Sequence, residues 1–420
     1  MFYSPIKIVL IIILLLVNVV FIWSPGTSDV PVWTSFINGI RQSNVDYLFR
    51  CITYNCSEAP ITYPTLYFLI LYIFAKAPML SSISPFLVVK ILIFSFYLLS
   101  LVCALIFFWY VGKENKQLHN IDVVLLFLTQ LSLFLNTQGL GYVDILMIPP
   151  FILSILWMLK NNFFLGGVFY AISLLVKWQP LILLPMILLY VVKIRRLRGI
   201  ATFFLGIILG IAPLYVIFPD VVGVLLYSLR HALTDQFIAA APNLPWVAIA
   251  ALRWLGLSSI FGFGNQMYIV MTQTKDIGLL LLYMVFKIVF LGYYAWIMLK
   301  FYKRTEYMDN RENFFFALIG IMVGYYILAS GVHENHLIIG GVLAFLLYLL
   351  HPSTKNRWLF FQVDSVSALG MFIFYGISGV PLLPLTIRGT SVVTIVAIVF
   401  VIWFATKVLP INKDEYKTNI

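Results

Sequence analysis

Apolar residues run in long unbroken blocks along this chain, and polar residues gather between the blocks. The first block, IVLIIILLLVNVVFIW (8–23), gives way to a stretch that opens PGTSDVPVW. Similar blocks recur throughout. A helix needs about 17–25 mostly apolar residues to cross a ~30 Å hydrocarbon core. On that measure we read twelve spans, at 5–24, 85–111, 121–137, 144–159, 163–177, 180–193, 199–218, 277–300, 313–331, 336–351, 360–379 and 391–409. The blocks are continuous rather than alternating, which excludes a transmembrane β-barrel. The pattern predicts an all-α polytopic membrane protein with about 12 transmembrane helices, one membrane-embedded domain over 1–420.

The segment ITYPTLYFLILYIFAKAPM (61–79) is ambiguous by hydropathy alone, and charge decides it. If it does not cross, both termini and the loops at 112–120, 160–162, 193–198, 300–312 and 352–358 share one side. That side then carries 17 of the 27 Lys and Arg residues in short loops, the mark of the cytoplasmic face. If it crosses, KIRRLR and KFYKR move outside. We therefore read 61–79 as an amphipathic or re-entrant helix on the outer surface. Two long outer loops follow, 25–84 with its interfacial helices and 219–276. The termini are expected in the cytoplasm.

Composition supports this picture. The chain is 62% hydrophobic and 10% charged, with mean hydropathy +1.00, which no soluble domain shows. The net charge of +11 needs no nucleic-acid partner, because basic cytoplasmic loops produce it. The first block resembles a signal peptide but lacks a small-x-small cleavage site, so an uncleaved helix is expected. There is no internal repeat of the kind an inverted-repeat transporter carries. Cys103 lies in an apolar run, where packing is its expected role. Cys51 and Cys56, in CITYNC, are either a disulfide or two thiols.

The candidate chemistry sits at span ends on the outer side. Asp29 follows the first span, Asp144 stands between the third and fourth, Lys177 between the fifth and sixth, and HENH (333–336) between the ninth and tenth. Ionisable groups at membrane depth are costly and usually line a polar cavity. Each also has a plain structural reading. Asp29 and Asp144 suit helix caps, Lys177 suits snorkelling, and His333, Glu334 and His336 suit a satisfied helix-end network. His333 and His336 have an i, i+3 spacing that two metal ligands can share, but there is no HExxH and no third nearby ligand. A divalent metal is possible and not favoured. A lone outer carboxylate suits a general base, and cations with imidazoles suit a phosphate. Together they suit sugar transfer from a lipid phosphate.

At these residues the sequence resembles the GT-C superfamily of integral-membrane glycosyltransferases, which use polyprenyl-phosphate sugars. The motifs are GTSDVPVW with Asp29, TYPTLYFLI (62–70) with Tyr63, GYVD (141–144), KWQPLILLP (177–185) with Lys177 and Gln179, NLPW (243–246) with Asn243, and HENH. Over residues 1–350 they occur in family order, and they most resemble the polyprenyl- or dolichyl-phosphate-mannose or -glucose branch. Two positions depart from the pattern. Tyr142 stands where Gln is usual, and Asn335 where a cation is common. With no cation at 335, Lys177, His333, His336 or Arg388 would meet the donor phosphate.

The resemblance implies an inverting hexosyltransferase, mannose favoured, with Asp29 as catalytic base. Asp144, Lys177, Gln179, His333, Glu334, His336, Tyr63, Asn243 and Arg388 would bind substrate. It implies a polyprenyl-phosphate sugar as donor, a lipid- or protein-linked glycan as acceptor, surrounding membrane lipid, and no required cofactor or metal. A monomer or a part in a membrane assembly is expected, in a microbial plasma membrane or alternatively the endoplasmic reticulum. GFGNQMY (262–268) is read as a lid piece or a turn. A polysaccharide polymerase or ligase, or a secondary transporter, are the rival functions. Scattered outer arginines weigh against the first and the absence of repeats against the second.

Overall fold

The computed structural model describes residues 5–42, 64–112, 117–217, 221–234, 238–239, 241–257, 259–260, 269–270, 277–303, 310–379 and 387–409. These are almost entirely helical. In chain order the helices are α1 (Pro5–Val20), α2 (Asp29–Gln42), α3 (Thr65–Lys76), α4 (Pro85–Phe107), α5 (Asn120–Leu128), α6 (Leu131–Phe134), α7 (Ile148–Leu159) and α8 (Phe163–Leu174). After them come α9 (Leu184–Ile217), α10 (Val221–Thr234), α11 (Leu244–Trp254), α12 (Ile277–Lys303), α13 (Asn310–Leu328), α14 (Ile338–Leu350), α15 (Thr354–Tyr375) and α16 (Ile387–Trp403). The strands among the described residues are one antiparallel pair, Ile238–Ala239 with Ile269–Val270.

Six helices are long and apolar enough to cross a membrane, and seven if the bent pair Asn120–Leu128 and Leu131–Gly139 is one span. The chain is thus a multi-pass α-helical membrane protein. The other expected spans are apolar helices of 10–17 residues or arms of longer ones. The pair at 120–139, where one span over 121–137 was expected, bends by 55°. The stretch Gln179–Ile217 breaks at Arg196, whose φ of 55° and ψ of −149° are not helical. A Cβ on Gly199 would come 2.8 Å from Val191 Cγ1, eight residues back. A continuous helix would put about 12 Å between those positions. The chain therefore reverses there, and the expected segments 180–193 and 199–218 are the two arms of a hairpin.

Packing divides the chain into two units. The first holds residues 1–232, 345–358 and 377–380, and the second 233–344, 359–376 and 381–420. In the first unit, α2 is amphipathic. Val30, Trp33, Ile37 and Ile40 recur at helical spacing and are buried against α3 and α4. Trp33 meets Tyr67 edge-on at 4.9 Å, and Phe36 meets Phe68 at 5.2 Å. Arg41 donates to the carbonyls of Leu80 (2.6 Å) and Ile83 (2.7 Å), tying the end of α2 to the turn after α3. At 12 residues α3 is about 18 Å long, the same length as α7 and α8. Ser84 caps α4 and Pro85 opens it, a favoured pairing at a helix start.

Two close approaches shape this unit. A Cβ on Gly167 would strike the Phe203 carbonyl, and one on Gly206 the Phe164 carbonyl, so α8 and the second arm of α9 pack backbone to backbone. The loop before α2 is held by distant pieces. Gly26 N–H donates to the Ser378 carbonyl (3.1 Å), Thr27 N–H to the Leu140 carbonyl (2.8 Å), and Ser24 Oγ to the Gly139 carbonyl (2.8 Å). Gly379 has φ of +86°, and a Cβ there would overlap the Gly26 carbonyl. Only glycine fits that crossing.

The second unit is built on Trp246, Ile249, Leu279, Tyr283, Phe286, Ile373, Phe374, Val393 and Ala397. Trp246 packs edge-on to Phe374 at 5.6 Å and donates through Nε1 to Thr394 Oγ1 at 3.2 Å. Tyr293 on α12 donates to the Gly320 carbonyl of α13 at 3.1 Å. Cys103, in the first unit, is buried as expected. Cys51, Cys56, Tyr63 and GFGNQMY lie outside the described residues, and so does the side chain of Arg388.

Candidate active site

Asp29 is the first residue of α2, where the preceding loop is fixed by Gly26 and Thr27. Its side chain is partly exposed, and no described residue donates a hydrogen bond to it. Burial against the surrounding protein raises its pKa above the ordinary 3.8. The positive charge of Lys177 opposes that shift and the negative charge of Asp144 adds to it. Asp29 thus feels both other ionisable groups.

Asp144 lies in a 3-10 turn, Val143–Met147, that leads into α7. Gly141, at φ of +73°, brings the chain into that turn. The carboxylate is fully buried. Its Oδ1 is ion-paired with Lys177 Nζ, and Asn136 Nδ2 donates to Oδ2 at 3.4 Å. Lys177 follows α8, and its side chain keeps 17% of its surface exposed. The pair is therefore closed on the acid's side and open on the lysine's. Gln179 opens the next 3-10 turn. It is buried, and no described residue hydrogen-bonds its side-chain amide. A buried amide without partners costs about 1–3 kcal/mol and suits a place where a ligand's polar atoms complete the bonding.

The fold brings Asp29, Asp144 and Lys177 into one electrostatic neighbourhood, as their positions at span ends suggested. Asn136 was missed, as were Gln138 and Lys90. Lys90, fully buried on α4, donates to the Gln138 carbonyl at 3.2 Å, beneath the 139–142 turn. The signal lay in the polar run NTQG (136–139) inside an apolar block. That run forms a single π-helical turn. Such turns interrupt the normal ladder and recur at functional sites.

In the second unit the HENH turn follows α13, entered through Gly331 at φ of +74°. The backbone N–H of His333 donates to Nδ1 of His336 at 3.2 Å. The Tyr325 hydroxyl is 3.4 Å from that nitrogen, and its ring stacks on His336 at 5.9 Å. A ring nitrogen that accepts carries no proton, so neutral His336 holds its proton on Nε2. Both histidines are partly exposed, while Glu334 and Asn335 are buried. Asn243 caps α11. Its Oδ1 accepts from Trp246 N–H at 3.1 Å, and its Nδ2 lies 3.5 Å from the Ala329 carbonyl. Among the described residues no three His, Cys, Asp or Glu side chains gather closely enough to hold a metal ion.

Comparison with protein-family models finds no match to the chain, and no curated protein is significantly similar to it.

Proposed function

We propose that the protein is an inverting glycosyltransferase of the GT-C type, moving a hexose, with mannose favoured, from a polyprenyl-phosphate donor to a lipid- or protein-linked glycan. One observation carries the reading. Asp29 is a partly exposed carboxylate, raised in pKa by its surroundings, beside the buried Asp144–Lys177 ion pair. A base needs an accessible oxygen and a proton affinity above that of a free carboxylate, and Asp29 has both.

In the proposed step the acceptor hydroxyl attacks the anomeric carbon. Its proton passes to the Asp29 carboxylate. The bond from the anomeric carbon to the phosphate oxygen breaks on the opposite face, and its electron pair leaves with the polyprenyl phosphate. Lys177 meets that developing charge, and Asp144 holds Lys177 in place. Gln179 completes its hydrogen bonds on the sugar or the phosphate. By the resemblance, His333 and His336 also belong to the proposed binding set. Glu334, Tyr63, Asn243 and Arg388 complete the proposed binding set. The proposed reaction requires no cofactor or metal. The twelve-span topology, with cytoplasmic termini and an outward-facing site in a microbial plasma membrane, belongs to the same proposal.

The test is transfer itself. Purified protein is incubated with radiolabelled polyprenyl-phosphate mannose or glucose and crude membrane lipid, and wild type is compared with Asp29→Asn. Label should move to a new product with wild type only, with loss of about 10²–10⁴-fold in the variant. Equal transfer by both proteins would remove Asp29 as the base. No transfer from either donor by well-folded wild type would overturn the choice of sugar. It would then favour a transporter, which also uses buried charge pairs at membrane depth.

A further inference from the structure

The hairpin tip of α9 carries the sequence KIRRLR (193–198). Arg195, Arg196 and Arg198 are exposed, and no described residue pairs with these three guanidiniums. Lys193 stands half-buried at the base of the same turn. Leu197, in the middle of the cations, keeps 78% of its surface exposed. Both arms run straight into apolar helix. The tip therefore sits where hydrocarbon gives way to headgroups, with fixed positive charge around one apolar side chain. Arg196 is held there in a backbone region that L-residues rarely adopt, where glycine would be unstrained.

We propose that this turn is a binding site for anionic phospholipid, with the arginines on the headgroup phosphate and Leu197 inserted among the acyl chains. Guanidinium groups match phosphate geometry with paired N–H donors, and three unpaired ones at one turn suit that ligand. Basic residues beside a membrane helix attract anionic lipid, each by about five-fold in affinity. The site is independent of the glycosyl-transfer reading and of which leaflet the turn faces.

The full chain is reconstituted into nanodiscs of phosphatidylcholine with a minor share of phosphatidylglycerol. Native mass spectrometry then reads the ratio of the two lipids retained. Wild type should enrich phosphatidylglycerol. R195Q/R198Q should cut the enrichment by about 25-fold at low salt, and less at high salt, where screening already weakens it. R357Q, which removes one exposed cation beside another membrane helix, should change the ratio by no more than about five-fold. Added free glycerol phosphate should not displace the lipid. A wild-type ratio in R195Q/R198Q, an equal loss in R357Q, or displacement by glycerol phosphate would each overturn the proposal. L197S, with no charge change, should shorten lipid retention. Unchanged retention would remove the apolar half of the site.

Discussion

Asp29 keeps a carboxylate where burial disfavours its charge. Its folded pKa is raised, so its contribution to stability is present below the ordinary carboxylate value of 3.8 and lost as pH rises through the folded pKa. Asp29→Asn should therefore melt higher than wild type at neutral pH, with the difference closing in acid. Thermal unfolding across pH checks this. In the proposed reaction the base works only when ionised, so kcat/KM should rise with pH along a limb that lies above 3.8. Lys177 gives a second prediction. Lys177→Met strands a fully buried Asp144 and should cost about 3–5 kcal/mol. Adding Asp144→Leu should recover part of that loss, and a double-mutant cycle on unfolding measures the coupling. That Asp144 and Lys177 converge was legible in the sequence, because both stand at span ends on one predicted face; that they form an ion pair was not. Asn136 was not legible. A polar residue inside an apolar run declares that it must be satisfied, without saying by whom.

At the scale of elements, apolar runs fixed where helices lie more firmly than how they bend. The 61–79 segment was read from charge bias as something other than a span, and the structure places there a 12-residue apolar helix, as long as α8. The 55° bend between α5 and α6 had no proline or glycine to announce it. It falls at Thr129–Gln130, where the Thr129 hydroxyl turns back to the Leu126 carbonyl and competes with the helical ladder. Asn243 offers a test of cap against ligand. Asn243→Ala should lose about 0.5–2 kcal/mol with the Trp246 hydrogen bond. Asn243→Asp keeps a capping oxygen and should keep stability; loss of transfer in that variant alone would mark a ligand. Arg196→Gly should raise the melting temperature by releasing a strained backbone worth about 1–3 kcal/mol.

For the whole molecule, the multi-pass helical character was open to reading because lipid demands long apolar helices. The glycine crossing was not, since two glycines more than 350 residues apart carry no local signal of each other. Gly379→Ala should force a Cβ into the Gly26 carbonyl and disturb the loop that sets Asp29. We expect a drop of several degrees in melting temperature and a larger fractional loss of transfer than of folded protein, read by comparing activity with thermal unfolding of the same sample.

That crossing also sets a clock. The Gly26 amide waits for the Ser378 carbonyl, so the seat of the N-terminal loop stays open while the ribosome makes everything in between. At about 5–20 residues per second the wait is roughly 20–70 s. A nascent chain halted before residue 377 would hold Asp29, Asp144 and Lys177 in sequence and still lack the last clasp that sets them. Synthesis past residue 378, rather than insertion of the first helices, would then be the event that seats this loop.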